Sequence, residues 1–168
     1  MLKMLCPKVW AGSVLELDII QLKRAGIRGV IFDLDNTLVE WKLDILKPEV
    51  IALVERLKEN GFQLCILSNA LEHRVKAVAG ALDLPYICRA VKPRKSAFQK
   101  ALGLLGTPPR ETAVVGDQLF TDILGGNRLE LYTIWTPPLS STEFIYTQMV
   151  RKLERFVIKR FKKKGILP

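Results

Sequence analysis

The sequence has no run of about 18 apolar residues, so it contains no segment long enough to span a bilayer as a helix. Lysines and a proline interrupt its first ten residues, which therefore lack the continuous apolar core of a signal peptide. Its three cysteines, Cys6, Cys65 and Cys88, are too few and too widely spaced for a disulfide framework or a metal site. These absences favour a cytoplasmic protein without structural disulfides.

Acidic residues are scarce relative to basic ones, with 17 Asp and Glu against 26 Lys and Arg and a net charge of +9. The segment 151–164 alone holds eight basic residues and one acidic residue. The 168 residues, of which 49% are hydrophobic, suffice for a sizeable core, and no repeat or low-complexity linker divides them. We expect one domain over 1–168, with a core at about 27–136 and a basic amphipathic helix at about 142–164.

Apolar runs alternate with segments of helical periodicity, as is typical of chains built from βαβ units. Strands are predicted at about 29–34, 62–67, 86–88, 112–115 and 131–135. Helices are predicted at about 49–60, 70–82, 96–105 and 120–129. The order predicts an α/β fold, a Rossmann-like three-layer sandwich around a five-stranded parallel sheet with the strand ends at one edge.

Two aspartates spaced i, i+2 follow the first predicted strand, and a threonine comes two residues later. Asp33 and Asp35 leave the buried run 30–32 at the carboxyl edge of the sheet, and Thr37 completes the motif. Because side chains alternate along a strand, the two carboxylates point to one side. Such a pair can supply a nucleophile and a general acid, although Asp-x-Asp-x-Thr also arises by chance and Asp favours turns.

Polar residues also follow the next two strands. Ser68 and Asn69 can donate hydrogen bonds to a phosphate oxygen, and Asn69 is equally suited to cap the helix that follows. Lys92 and Lys95 flank Pro93 after the third strand. We favour Lys92 as the lysine of the site, since it lies nearer the strand end and Lys95 falls at the start of a helix.

The fourth strand ends in Gly116 and Asp117, and Asp122 follows five residues later inside a new helix. Carboxylates at such a position suit a magnesium site. A phosphomonoester dianion repels a carboxylate nucleophile, so attack by Asp33 needs the positive charge of a divalent cation and a lysine. Mg²⁺ is therefore the expected cofactor.

In this order the four segments resemble the haloacid dehalogenase (HAD) superfamily of phosphotransferases, over roughly residues 29–135. The resemblance implies that Asp33 attacks phosphorus to form an aspartyl phosphate. It implies that Asp35 protonates the leaving oxygen and then activates the water that hydrolyses the intermediate. Thr37 and Ser68 are implied to hold phosphate oxygens, while the lysine binds the nucleophile and the transferred phosphoryl group.

The same resemblance implies a ligand set for the cation. It consists of the Asp33 carboxylate, the Asp35 backbone carbonyl and Asp117, with Asp122 near the metal or as an alternative ligand. Neither of the positions at which cap domains are inserted in this superfamily carries an insertion here. We therefore expect an open site, which favours a large substrate such as a lipid headgroup, a protein or a nucleic-acid end.

At a finer level the chain resembles the capless phosphatases of subfamily IIIA that act on phosphatidylglycerophosphate, including the bacterial YqeG group. The residues that carry this resemblance are Leu5-Cys6-Pro7, the segment 32–38, Leu67-Ser68-Asn69, Lys92-Pro93, the segment 116–123 and the segment 125–128. The resemblance implies hydrolysis of phosphatidylglycerophosphate to phosphatidylglycerol, and an anionic phospholipid as substrate.

The carboxyl-terminal segment has helical amphipathicity. Its apolar residues fall largely on one face: Ile145, Met149, Leu153, Phe156, Val157 and Phe161. Its basic residues lie on the other side of the helix or on the flank of that face, and they include Arg151, Arg155, Lys159 and Lys162. Such a helix can lie on an anionic bilayer, which favours a peripheral location on the inner face of the plasma membrane. It can also pack on the domain with its lysines solvated. We expect the protein to be monomeric or weakly associating.

Two other functions are compatible with the sequence. A soluble phosphatase of the same type could act on a nucleotide, sugar or protein phosphate. A noncatalytic module could use the basic tail to bind nucleic acid, although no recognised nucleic-acid-binding motif accompanies the charge.

Overall fold

The computed structural model describes residues 2–41, 43, 45–140, 145–163 and 165. Its strands are β1 (Val9–Trp10), β2 (Gly29–Phe32), β3 (Gln63–Leu67), β4 (Tyr86–Ile87), β5 (Thr112–Gly116) and β6 (Tyr132–Trp135). Its helices are α1 (Ile19–Arg24), α2 (Pro48–Glu59), α3 (Glu72–Leu82), α4 (Lys95–Leu105), α5 (Leu124–Asn127) and α6 (Ile145–Lys163). No helix in this described part of the chain is long and apolar enough to cross a membrane.

The strands form one parallel sheet in the order β1-β6-β5-β2-β3-β4. The α/β fold with a parallel sheet is confirmed, but the predicted number of five strands is wrong. The additional strand, β1, has only two residues, and Val9 pairs with Ile134 at the edge of the sheet. Lys8 and Pro7 directly precede it, so no continuous apolar run marks this strand in the sequence.

Side chains of β2 alternate between two apolar clusters, which shows that helices cover both faces of the sheet. Val30 and Phe32 pack in the cluster that contains Val54 of α2 and Val78 of α3. Ile31 packs in a second cluster, with Phe98 of α4. The three-layer arrangement follows from the burial of every β2 residue.

The direction in which successive strands are added to the sheet changes beside β2. The chain runs outward from β2 to β3 and β4 and then returns to place β5 on the other side of β2, where Phe32 is in register with Val115. Open α/β sheets bind ligands at such a switch point, beyond the carboxyl ends of the strands. Asp33, Ser68 and Asp117 each follow one of the three central strands directly.

Two predicted elements differ from the structure. The helix expected at 120–129 is a π-helical turn, Leu119–Ile123, followed by the four-residue α5. The carboxyl-terminal helix is present as α6, and residues 142–144 and 164 of its predicted range lie outside the described residues. Its apolar side chains do not share one buried face, since Phe161 is buried whereas Leu153 and Phe156 are exposed.

Candidate active site

A buried lysine bridges two of the predicted site aspartates. Lys92 Nζ lies 2.5 Å from Asp33 Oδ1 and 2.6 Å from Asp122 Oδ1. Burial alone would lower the pKa of the lysine, but the carboxylates of Asp122 and Asp33 outweigh burial and raise it above its usual range. Lys92 therefore stays positively charged. Lys95, the alternative, is exposed at the first turn of α4.

Asp122 reaches this position because of local backbone features. It lies in the π-helical turn, and such turns often occur at functional sites. A Cβ atom at Gly116 would lie 2.4 Å from the carboxyl carbon of Asp122, so only glycine allows the approach. The Gln118 amide donates to Asp122 Oδ2 at 3.2 Å. The carboxylate of Asp122 is thus fixed from two sides.

Asp33, Asp117 and Asp122 form a buried cluster in which one carboxylate oxygen of each lies within 4.8 Å of the others. Asp117 Oδ1 is buried and has no hydrogen-bond partner. A set of carboxylate oxygens without nitrogen or sulfur ligands suits a hard divalent cation such as Mg²⁺. These three residues therefore fit a divalent cation. The Asp35 backbone carbonyl as a fourth ligand stays a prediction.

Burial raises the pKa of Asp33 from 3.8 to about 7, against the opposing effect of Lys92. The folded, metal-free protein thus binds this proton more tightly than the unfolded chain does. The contribution of Asp33 to the free energy of unfolding is then most favourable below about pH 4 and declines as the pH rises toward 7. We expect Asp33→Asn to remove that decline.

The measurement is urea unfolding of both proteins with a chelator present, at several pH values between about 4 and 8. The variant should gain in relative stability as the pH rises. A difference between the two proteins that is constant over this range would contradict the assignment.

The Asp35 side chain does not join the cluster. Instead, the Arg74 guanidinium donates from Nε and Nη2 to Asp35 Oδ1, at 2.9 and 2.7 Å. The same Nη2 also donates to the backbone oxygens of Glu40 and Leu43, at 3.2 and 3.1 Å. Arg74, a residue of α3, was not predicted from the sequence. It connects the loop after β2 to the second aspartate of the motif.

A second unexpected arginine enters the site from α6. Arg151 pairs with Asp117 Oδ2 through Nη2, and its Nη1 donates to the Asp117 backbone oxygen at 2.7 Å. Burial raises the pKa of Asp117 well above its usual range, although Arg151 opposes this shift. The helical pattern groups Arg151 with the basic residues on the other side of the helix or its flank, whereas in the structure its guanidinium contacts Asp117.

Glu154 holds Arg151 in place and anchors the helix. Its Oε2 accepts from Arg151 Nη1 at 2.8 Å, and its Oε1 accepts from the Leu119 amide at 2.6 Å. The only acidic residue of α6 is therefore buried against the π-helical turn. A lone acid three residues after an arginine, in an otherwise basic segment, is the sequence signal that could have indicated this contact.

The residues predicted to bind substrate lie beside these groups with different partners. Thr37 Oγ1 is buried and has no hydrogen-bond partner in the protein. Its hydroxyl is thus available to donate a hydrogen bond to an oxygen of a bound ligand. Ser68 is buried, and its Oγ accepts from the Ala70 amide at 3.1 Å. Asn69 does not cap α3, which begins later, at Glu72; its Oδ1 accepts from the Lys92 amide at 2.8 Å.

A parallel α/β sheet with an aspartate–lysine pair and a carboxylate cluster at its switch point defines a hydrolase of the phosphatase class. The family model described as "haloacid dehalogenase-like hydrolase" matches residues 39–129. The chain belongs to this family of haloacid dehalogenase-like hydrolases.

Individual proteins agree with the family. The chain is 37% identical to "Probable phosphatase YqeG" of Bacillus subtilis, over 97% of this chain and 95% of that protein. It is 32% identical to "Phosphatidylglycerophosphate phosphatase 1, chloroplastic/mitochondrial" of Arabidopsis thaliana, over 96% of this chain but 49% of the plant protein. The solved structure of a HAD phosphatase from Thermococcus onnurineus superimposes with a TM-score of 0.51 and 25% identity, over 60% of this chain and 50% of that one.

Proposed function

We propose that this protein is a magnesium-dependent phosphomonoesterase that works through an aspartyl phosphate on Asp33, and that its substrate is phosphatidylglycerophosphate. The observation that carries the reaction type is the 2.5 Å contact between Lys92 Nζ and Asp33 Oδ1, beside the buried carboxylate cluster. The substrate is supported by the likeness to the Arabidopsis phosphatidylglycerophosphate phosphatase over 96% of this chain.

In the first half of the reaction a carboxylate oxygen of Asp33 forms a bond to phosphorus while the ester P–O bond breaks. Lys92 orients this carboxylate and offsets negative charge in the transition state. Bound by Asp33, Asp117 and Asp122, Mg²⁺ would supply the positive charge that lets a carboxylate approach a phosphate dianion.

Asp35 gives its proton to the leaving oxygen and then takes a proton from the water that hydrolyses the aspartyl phosphate. The products are phosphatidylglycerol, inorganic phosphate and regenerated Asp33. Thr37 Oγ1 and Ser68 Oγ, both buried at the site, would hold phosphate oxygens during these steps. Arg74 would position Asp35, since both of the bonds described above end on Asp35 Oδ1.

The test of this proposal is phosphate release from phosphatidylglycerophosphate in mixed detergent micelles with Mg²⁺. Glycerol 3-phosphate, a nucleotide and an aryl phosphate are measured beside it, with Asp33→Asn as the blank. A strong preference for the lipid supports the proposal. Activity on the soluble esters alone overturns the lipid substrate. No phosphate release from any of the four compounds, with or without Mg²⁺, together with salt-sensitive RNA binding would favour the noncatalytic module.

Replacing Arg74 tests its role as a positioning residue. We expect Arg74→Met to lower kcat/KM for an alkyl phosphate such as glycerol 3-phosphate about 10- to 100-fold, because Asp35 loses its orientation. The loss in kcat/KM, which reports formation of the aspartyl phosphate and not its hydrolysis, should be much smaller for 4-nitrophenyl phosphate, whose leaving group needs no proton. Lys76→Met, an exposed position on the same helix, is the control. Equal losses on both substrates would show that Arg74 does not act through Asp35.

A further inference from the structure

The outer face of α6 combines exposed apolar side chains with positive charge. Met149, Leu153 and Phe156 are spaced i, i+4, i+7 and have 64%, 60% and 62% of their surface exposed. The exposed basic residues of the helix are Lys152, Arg155, Lys159, Arg160, Lys162 and Lys163. Since Glu154 is buried on the inner side, this face carries no acidic residue.

Contacts on the inner face of α6 determine how the helix is rotated and therefore keep this outer face toward solvent. Arg151 and Glu154 bind the loop after β5, and Phe161 is buried beside Leu119 and Ile123 of the π-helical turn. The helix is thus held at its middle and near its carboxyl end against the part of the molecule that carries Asp117. Its apolar outer strip cannot turn inward without breaking these contacts.

Exposed apolar residues also lie in the loops that surround the site. Leu43 and Ile45 follow β2, Leu71 follows β3, and Val91 follows β4 and directly precedes Lys92. All four are exposed, and Ile45 is 72% exposed. They belong to loops at the carboxyl edge of the sheet, as Asp33, Ser68 and Lys92 do.

Hydrogen bonds join these loops into one rim. Arg74, in the first turn of α3 just after Leu71, donates from Nη2 to Asp35 and to the backbone oxygen of Leu43, which ties α3 to the loop after β2. The Ala90 amide donates to the Ser68 backbone oxygen at 3.0 Å, which places the loops with Leu71 and Val91 side by side. The mouth of the site is therefore bordered by apolar side chains on the loops after three successive strands.

We propose that this rim and the outer face of α6 together form a docking surface for an anionic lipid bilayer, from which the enzyme takes its substrate headgroup. The proposal rests on the proposed lipid-phosphatase function for the identity of that substrate. A bilayer accepts both features, because apolar side chains enter the acyl boundary while lysines and arginines pair with lipid phosphates. A nucleic acid would match the charge but would leave the apolar strip and rim in water.

The experiment is sedimentation of the full chain with vesicles of phosphatidylcholine, with or without phosphatidylglycerol. We expect binding to the anionic vesicles and not to pure phosphatidylcholine. Leu153→Ser should weaken binding about tenfold, as loss of most of a buried leucine side chain predicts. Leu104→Ser, the same substitution at a leucine of α4 that is 52% exposed, should leave it unchanged.

A charge comparison uses Lys159→Gln, which should weaken binding about fivefold, and Lys100→Gln, an exposed lysine of α4, which should not. A thermal unfolding midpoint equal to that of the wild type is the criterion that each variant is folded. Failure of the full chain to bind anionic vesicles, or equal effects of the α6 and α4 variants, would overturn the docking surface. Tighter binding to RNA than to anionic vesicles would overturn it in favour of a nucleic-acid partner.

The outcomes separate this proposal from the proposed function. Hydrolysis of phosphatidylglycerophosphate in micelles without vesicle binding would refute the docking surface and keep the substrate. Vesicle binding without that hydrolysis would keep the docking surface and refute the substrate.

Discussion

Asp33→Asn should lower phosphate release by about 10⁴-fold or more while the chain stays folded, because the amide oxygen cannot form the aspartyl phosphate. The substitution is nearly isosteric at a residue with 6% exposure, so packing is kept. It also removes one charge from three buried carboxylates. We therefore expect the metal-free variant to be at least as stable as the wild type at pH 8.

Phosphate release and thermal unfolding, measured on the same preparations, check both parts. Asp83→Asn is the matched control, since Asp83 is exposed and ends α3 in a left-handed conformation (φ 49°) that asparagine also adopts readily. That control should keep both activity and stability. Retained turnover in Asp33→Asn would refute the covalent mechanism. An unfolded variant would refute the claim that loss of one of the three buried negative charges leaves the protein at least as stable.

Lys92→Met should reduce both activity and stability. Loss of the cation beside Asp33 should lower kcat about 10²- to 10³-fold, as expected for a group that stabilises transition-state charge. The variant also leaves the carboxylates of Asp33 and Asp122 buried without their shared ammonium. Breaking a buried ion pair in this way typically costs about 3–5 kcal/mol. The loss of stability should be smaller at pH 5, where Asp33, whose pKa burial raises to about 7, can take up a proton.

Lys95→Met is the control, because Lys95 is three residues away and exposed. Urea unfolding and steady-state kinetics should show little change in it. The double variant Lys92→Met/Asp122→Asn should recover part of the lost stability and none of the lost activity. If Lys95→Met lost activity while Lys92→Met kept it, the assignment of the lysine would be wrong.

The positions of Asp33, Ser68 and Asp117 could be predicted because each follows a buried strand of a parallel sheet. The carboxyl ends of such strands share one edge, so sequence order alone places these residues together. The roles of these residues stay predictions until variants are measured.

The two arginines could not be predicted in the same way. Arg74 is 39 residues from Asp35 and Arg151 is 34 residues from Asp117, and both lie on helices. Whether a helical arginine faces a site or the solvent depends on how the helix is rotated and packed, which charge and periodicity do not determine. In α6 the apolar periodicity was misleading, since Leu153 and Phe156 are exposed while Arg151 and Glu154 face inward.

The insertion of Arg151 into the site has a consequence for how the protein is made. The ribosome delivers the chain from its amino end, so Asp33, Lys92 and the aspartates at 117 and 122 all emerge before α6. A nascent sheet that closes at that stage holds three crowded carboxylates and only one of its two cations. Docking of α6 then adds the second cation, Arg151, beside Asp117, so we expect it to be the last step of cotranslational folding.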